Sequence, residues 1–527
     1  MLGGLPPPVR AHAQAHWDRL SSRSLLFFVG PAFQPVFSPA GFQSLLPGSP
    51  VLPAFQPVRG PQGGPHRVYS CSRYAHQHRP CPTLHPRPGR RRSVPREVIM
   101  GICQRGRGWR GGMHLLPPRP DTAEHPVCST RAPDRLCIPL AQECETAATP
   151  LTEAGCKVGP GTLLAERPDG GGRVHSPVVG VVRGLIRVDT PARRQVPAME
   201  IESTPPGQEE SPAAMRHTDD WPAAAELVSL ATAHGVILPD AAALAQAGGV
   251  KRIIVAGMDM APRQTVNVRT LADHAEALVA AAVQLHRALQ AQRTDIVVSR
   301  TRRDLAAVLR GLCRGQPLRV RALLNRYPQA HPRLLVAALT NRATPVDGTP
   351  VHCGVWVIDA ATLADLCRAV TGRTPVTWHT VTLLGDAVVT PGNYRMPAGL
   401  TVRQVVDRAG LAATPRRIIA GGWLNGVALH SPDVVLTRAT RCLTVQARTR
   451  RPPPPAACIR CGACLEACPV GLDPRALYDR AERNRFDGVG RLYPQACLEC
   501  GLCDYVCPSS LPLLRGVRRC CNHVRSG

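Results

Sequence analysis

Residues 458–469 read CIRCGACLEACP, and residues 497–508 read CLECGLCDYVCP. Each is C-x2-C-x2-C-x3-C-P, the spacing that aims three thiolates at one iron–sulfur cubane while the fourth cysteine leaves on a short turn for a second cluster. The expected ligand sets are therefore Cys458, Cys461, Cys464 and Cys507 for one [4Fe–4S] cluster, and Cys497, Cys500, Cys503 and Cys468 for the other. Zinc would be content with two C-x-x-C pairs and no trailing Cys-Pro, so four thiols and a proline in both halves favour iron over zinc. Gly462 and Gly501 follow the second cysteine of each motif, where a residue without Cβ lets backbone amides wrap the cluster's sulfur. Between the motifs, Asp473-Pro474 reads as an N-cap followed by proline at the first helical position, opening a helix through Leu477, Tyr478 and Ala481. Residues 458–519 are thus expected to form an α-helical dicluster ferredoxin-type domain with internal pseudo-two-fold symmetry.

The motifs use eight of 21 cysteines. The rest, such as Cys128, Cys313, Cys353 and Cys367, lie without metal spacing and read as small buried hydrophobes. Cys520-Cys521 cannot easily serve one cluster, because adjacent thiols point apart. So many thiols beside iron–sulfur motifs argue for a reducing compartment. A formal charge of +27 would ordinarily point to nucleic acid, but Lys157 and Lys251 are the only lysines among 64 basic residues. The charge therefore follows an arginine-rich composition, and with 4% aromatic residues no stacking platform for bases is expected. Residues 1–112 hold 15 Arg against 2 acidic residues, about half of the net charge.

The 527-residue chain divides by pattern. Residues 1–110, rich in Pro, Gly, Arg and His, show no sustained period and read as disordered, or as an over-extended start with the true initiator at Met100 or Met113. The uncharged run from Ser24 to Val58 is broken by seven prolines, so no membrane span is expected. Residues 111–192 carry short β-rich runs at Cys137–Leu140, Gly161–Glu166 and Gly180–Val188, the pattern of a barrel-sandwich domain resembling lipoyl carriers. A carrier needs lysine at its hairpin tip; this chain has His175-Ser176-Pro177, so a structural module is expected. Residues 193–219 read as a linker. Residues 220–375 alternate helix and strand, with helix over Trp221–His234, strand at Arg252–Ala256, one long amphipathic helix over Leu271–Leu289, strand at Asp295–Ser299, helix over Thr301–Leu312 and strand at Val351–Ile358. That order predicts a parallel sheet with its ligand site after Ala256, at the carboxyl ends of the strands. Residues 376–448 read as a β-grasp domain, and 449–457 as a proline-rich spacer.

Five segments occur together in one order: GGMHLLPP from Gly111, HSPVVG from His175, RYPQAHPRLLVAALTNRATP from Arg326, GDAVVTPGNY from Gly385 with GGWLNGVAL from Gly421, and the paired cysteine motifs. In combination they resemble the RnfC family of the Rnf electron-transport complex, which is related to the cobalamin reductases of propanediol utilisation. The resemblance implies a multidomain α/β chain: a barrel sandwich, a central domain similar to the flavin subunit of complex I, a soluble-ligand-binding β-grasp domain, and the dicluster domain. It also implies a peripheral subunit on the cytoplasmic face of the inner membrane that passes electrons from NADH through flavin to two clusters, with membrane subunits as partners. Here the chain departs from the family. The family's G-x-G-G-A-G-F-P-T loop is replaced by HGVILPDAAALAQAGG, His234–Gly249, and its N-G-A-E-C-E-P by AGMDMAP, Ala256–Pro262, with loss of acidic residues and a cysteine. Alanine extends a helix where glycine would cradle phosphate, so FMN is not expected and no flavin-binding residue can be named. The expectation is an electron-relay subunit without its own catalytic residues. A flavin-containing NADH reductase and a non-redox scaffold stapled by clusters are the alternatives.

Overall fold

The computed structural model describes residues 111–115, 122–142, 146–168, 172–210, 215, 221–246, 249–449 and 453–526. The expectations for residues 1–110 lie outside them.

Short strands bounded by glycine and proline turns come first: β1 (Cys128–Ser129), β2 (Arg135–Pro139), β3 (Thr149–Pro150), β4 (Lys157–Val158), β5 (Leu163–Glu166), β6 (Arg173–His175), β7 (Gly180–Val188) and β8 (Val196–Ser203). Strands β2 to β8 form two sheets, ordered β2-β8-β7-β4 and β3-β5-β6. Strand β8 runs antiparallel to both β2 and β7, so the stretch read as a linker begins with a strand of the sandwich. The reason is its pattern: Val196, Ala198 and Ile201 are buried, a half-buried strand that the flanking prolines and acids disguise. His175 and Ser176 are buried, and the carbonyl of Pro177 accepts from Trp378 Nε1 at 3.4 Å, so this turn is packed rather than presented as a carrier tip.

Next come α1 (Ala224–Ala233), α2 (Ala241–Gln246), β9 (Arg252–Ala256), α3 (Val266–Asp273), α4 (Ala275–Ala288), β10 (Arg293–Ser299), α5 (Arg303–Leu312), β11 (Leu318–Leu323), α6 (Pro332–Thr340), β12 (Val355–Asp359) and α7 (Ala360–Gly372). The four strands are all parallel in the order β11-β10-β9-β12. Period-two alternation assigns each strand residue to one of two cores: Ile253, Val255, Ile296, Val298 and Trp356 to one face, Ile254, Val297, Val355 and Val357 to the other. The long helix expected over Leu271–Leu289 is two helices, because the chain leaves helical geometry at His274 (φ −128°, ψ 33°). The strand expected from Val351 starts at Val355, after a 3-10 turn closed by Gly354.

The third set comprises β13 (Trp378–Leu384), β14 (Gly392–Pro397), α8 (Val402–Ala409), β15 (Arg417–Ala420), β16 (Val427–Ala428) and β17 (Cys442–Gln446). Strand β13 pairs antiparallel with β14 and parallel with β17, the hairpin–helix–parallel-strand order of a β-grasp, and β1 adds to its edge. The Thr401/Gln404 capping box fixes where α8 starts. One core joins this sheet to the sandwich, with Leu136, Ile138 and Met199 packed among Val381, Leu383 and Leu443. The last residues form α9 (Ala463–Ala467), α10 (Pro474–Glu482), α11 (Leu502–Tyr505) and α12 (Leu513–Ser526). As the sequence predicts, Asp473 caps α10 by accepting from the Ala476 amide at 2.9 Å, and Leu477 and Ala481 are buried. Among the described residues no helix is long and apolar enough to cross a membrane.

Candidate iron–sulfur sites and the adjoining crevice

Each cysteine motif folds in the same way. Gly462 (φ +78°) and Gly501 (φ +74°) open α9 and α11, and two residues earlier Arg460 and Glu499 also take positive φ, +57° and +52°. These successive left-handed residues turn amides inward toward sulfur. Arg460 N–H donates to Cys458 Sγ at 3.4 Å and Glu499 N–H to Cys497 Sγ at 3.3 Å, equivalent bonds in the two halves. Leu472 N–H donates to Cys468 Sγ at 3.3 Å.

Cys458, Cys461, Cys464 and Cys507 line one cavity of about 160 Å³, together with Ile459, Leu465, Leu511 and Leu513. Cys461 is exposed, so this site lies at the surface. The other four thiols gather separately. Cys468 lies close enough to Cys497, Cys500 and Cys503 to repel each one's charge. Burial, with that repulsion, pushes Cys497 up to about 12 and Cys500 up to about 11, and it raises Cys503 as well. Four such thiols resist ionising together unless a cationic centre compensates them, and a ferric–ferrous cubane supplies that charge. Among the described residues no group of three or more His, Cys, Asp or Glu is arranged to hold a single metal ion. A cubane, whose thiolates sit on different irons, does not require that convergence.

Three segments that the sequence offered only as family marks meet at the second quartet. From the first, Gly112 N–H donates to Ala467 O at 2.9 Å, and a Cβ on Gly111 (φ +80°) would stand 2.4 Å from Cys468 O. From the second, Tyr327 Oη donates to Cys500 O at 2.7 Å, and Leu334 packs with Val470, Leu472 and Ala496. From the third, Leu424 O lies against Gly501, and Trp423 meets Tyr505 edge-on at 5.5 Å. Trp423 is 37% exposed, so it is a bridging surface residue. Cys520 and Cys521 belong to the core of α12, Cys520 Sγ bonding Leu477 O at 3.3 Å, whereas Cys128 and Cys156 are exposed, against the expectation of buried thiols.

A crevice of about 300 Å³ opens at the carboxyl ends of β9, β10 and β11, where the parallel order places a ligand site. Met258, Asp259, Ala261–Thr265, Ser299, Arg302, Tyr327 and Trp423 contribute to its wall. Gly257 permits the turn into it: a Cβ there would lie 2.5 Å from Leu271 and 2.9 Å from Val297 O. Asp259 retains an acid in this stretch, but its carboxylate accepts from the amides of Asn267 (2.9 Å) and Val268 (3.2 Å) at the start of α3. Burial raises it to about 7. Among the described residues, none of the segment His234–Gly249 lines this crevice. Residues 241–246 are helix α2 with Leu244 in the core, and Trp356 Nε1 holds Pro239 O at 2.9 Å. The two cysteine groups fit two clusters, and among the described residues lining the crevice there is no glycine.

Three family models match the chain: the RnfC barrel sandwich hybrid domain over residues 107–205, the Nuo51 FMN-binding domain over 231–368, and the 4Fe-4S dicluster domain over 455–511. Among similar curated proteins, the RnfC component of the ion-translocating oxidoreductase complex of Yersinia pestis bv. Antiqua is 30% identical over 384 residues, covering 70% of this chain and 61% of its own. The proteins of the same name from Yersinia enterocolitica and Pectobacterium carotovorum are 29% and 28% identical, again over 70% of this chain and 54% and 51% of theirs. The chain thus spans 51–61% of the length of these relatives, less than two thirds. A solved structure, an NAD+-reducing [NiFe]-hydrogenase in the H2-reduced state, aligns with a TM-score of 0.40 at 16% identity, over 60% of this chain and 67% of that one. The chain is therefore a homologue of the RnfC proteins of ion-translocating oxidoreductase complexes, with their barrel-sandwich, Nuo51 FMN-binding and 4Fe-4S dicluster domains in sequence.

Proposed function

We propose that this protein relays single electrons through two [4Fe–4S] clusters, one held by Cys458, Cys461, Cys464 and Cys507 and the other by Cys468, Cys497, Cys500 and Cys503. The supporting observation is the sorting of the eight thiols into a surface cavity and a second, partly buried group packed against the central domain. Bound there, the clusters supply reversible one-electron chemistry. The chain's own residues hold them in register: inward amides stabilise charge on sulfur, and the leucine walls exclude water. Cys461 places the first cluster where a partner protein can dock, and Tyr327 sets the second beside the crevice. The partners are the membrane subunits of an ion-translocating oxidoreductase complex, with the chain peripheral on the cytoplasmic face. No catalytic residue is assigned.

FMN is absent from this relay, since α2 occupies the sequence position of the phosphate loop. The match to an FMN-binding domain favours a second reading, an NADH reductase with flavin in the crevice. Anaerobic protein is assayed for flavin and mixed with NADH while the broad cluster absorbance is followed. No flavin and no bleaching support the relay fed by another protein. Stoichiometric flavin with rapid bleaching establishes the reductase.

A further inference from the structure

The amino-terminal edge of the parallel sheet, opposite the crevice, carries an open depression of about 810 Å³. Lys251, Arg252, Arg293, Arg319 and Arg342 line it, with His286 and Cys353, and no carboxylate lines it. The one acid beneath is Asp295, fully buried, at 3.1 Å from Arg252 and 3.6 Å from Arg293. One carboxylate cannot neutralise two guanidiniums. Arg252 is also anchored to Leu339 O at 2.7 Å, and Arg293, Arg321 and Arg319 lie near enough to repel its charge. Lys251, Arg319 and Arg342 are exposed, and none of their side chains has a hydrogen bond or ion pair among the described residues. The lysine stem lies along Gly354, where a Cβ would stand in ordinary contact at 3.6 Å from Lys251 Cγ. Composition explains many arginines here, but not their gathering, with one of only two lysines, around a hollow that holds no acid.

We propose that this depression binds a phosphate-bearing anion. Lys251, Arg319 and Arg342 are its free cations, and Arg252 and Arg293 form its floor. The phosphate can belong to a free solute or to a lipid headgroup, and the chemistry is shared.

The test uses the full chain with its clusters, at fixed ionic strength. Pyrophosphate is titrated by calorimetry, and flotation is measured with phosphatidylglycerol vesicles and with phosphatidylcholine vesicles. The variant Lys251→Gln/Arg319→Gln/Arg342→Gln should bind about tenfold more weakly or worse, as loss of three exposed ion pairs implies. A control, Arg194→Gln/Arg417→Gln/Arg483→Gln, removes the same charge elsewhere and should bind like the parent. The single variant Lys251→Gln, read by the same assays, repeats the test with least disturbance. Pyrophosphate binding identifies a free solute, and binding to phosphatidylglycerol vesicles alone identifies a headgroup. No binding by the parent to either, or equal loss in the control, overturns the proposal.

Discussion

The two halves of the dicluster domain place glycine at equivalent positions under unequal constraint, and Gly→Ala at each separates local geometry from docking. Both residues have positive φ, +78° at Gly462 and +74° at Gly501. Forcing alanine into that region costs about 1–2 kcal/mol at either site. At Gly462 nothing lies within 4 Å of the new Cβ, so that is the whole effect. At Gly501 the Cβ would fall 2.3 Å from Leu424 O, more than an ångström inside the 3.4 Å of ordinary contact. Leu424 cannot simply retreat, because its turn is tied by Gly426 N–H to Gly422 O at 2.7 Å. Overpacking of this kind adds about 1–3 kcal/mol, so Gly501→Ala should cost about 2–5 kcal/mol in all. The assay is anaerobic denaturant unfolding of the loaded protein, with iron content after mild warming. Gly462→Ala should keep both clusters; Gly501→Ala should unfold earlier and lose iron. Equal losses in the two variants would refute the claim that the second motif is clamped by the β-grasp turn.

Other expectations follow from single contacts. Cys461→Ser and Cys503→Ser should each lower iron from about eight to about four per chain, and each should leave the spectrum of the untouched cluster. Arg395 binds Glu210 through two bonds, 2.8 and 2.7 Å, with both side chains over four-fifths buried; Glu210→Gln should cost about 2–4 kcal/mol in chemical unfolding, and Arg395→Met/Glu210→Leu should recover much of it. His331 Nδ1 caps α6 by accepting from Arg333 N–H at 3.2 Å, and burial lowers its pKa to about 4. Because the folded value lies below the unfolded 6.5, the unfolded chain takes the proton first; stability present above pH 6.5 falls by up to about 1.4 kcal/mol per unit as pH drops toward 4. His331→Asn keeps an acceptor for the cap and should flatten the difference in that window, as read by unfolding at a series of pH values.

What was legible in the sequence was local. The cysteine spacing, the Asp473-Pro474 helix start and the RIIVA strand each depend on a few neighbouring residues, and the structure has Arg252–Ala256 as that strand, residue for residue. The missed features join residues far apart in the chain. Nothing near Tyr327 announces that its hydroxyl will bond Cys500, 173 residues later, and nothing near Cys128 foretells its parallel pairing with Tyr394. Composition also misled. Val196–Ser203 looked like linker because its outward residues are polar. The break at His274 had no proline or glycine to mark it. The cysteine pattern was therefore readable from spacing alone, whereas the clamp that seats it on the other domains was not.

The central claim is tested most directly by iron and acid-labile sulfide analysis of the anaerobically purified chain, with electron paramagnetic resonance after dithionite reduction. Two [4Fe–4S] clusters predict about eight iron and eight sulfide per chain, and a spectrum from two reduced centres broadened by their mutual coupling. Four iron or fewer in fully folded protein, or zinc in place of iron, would contradict the relay.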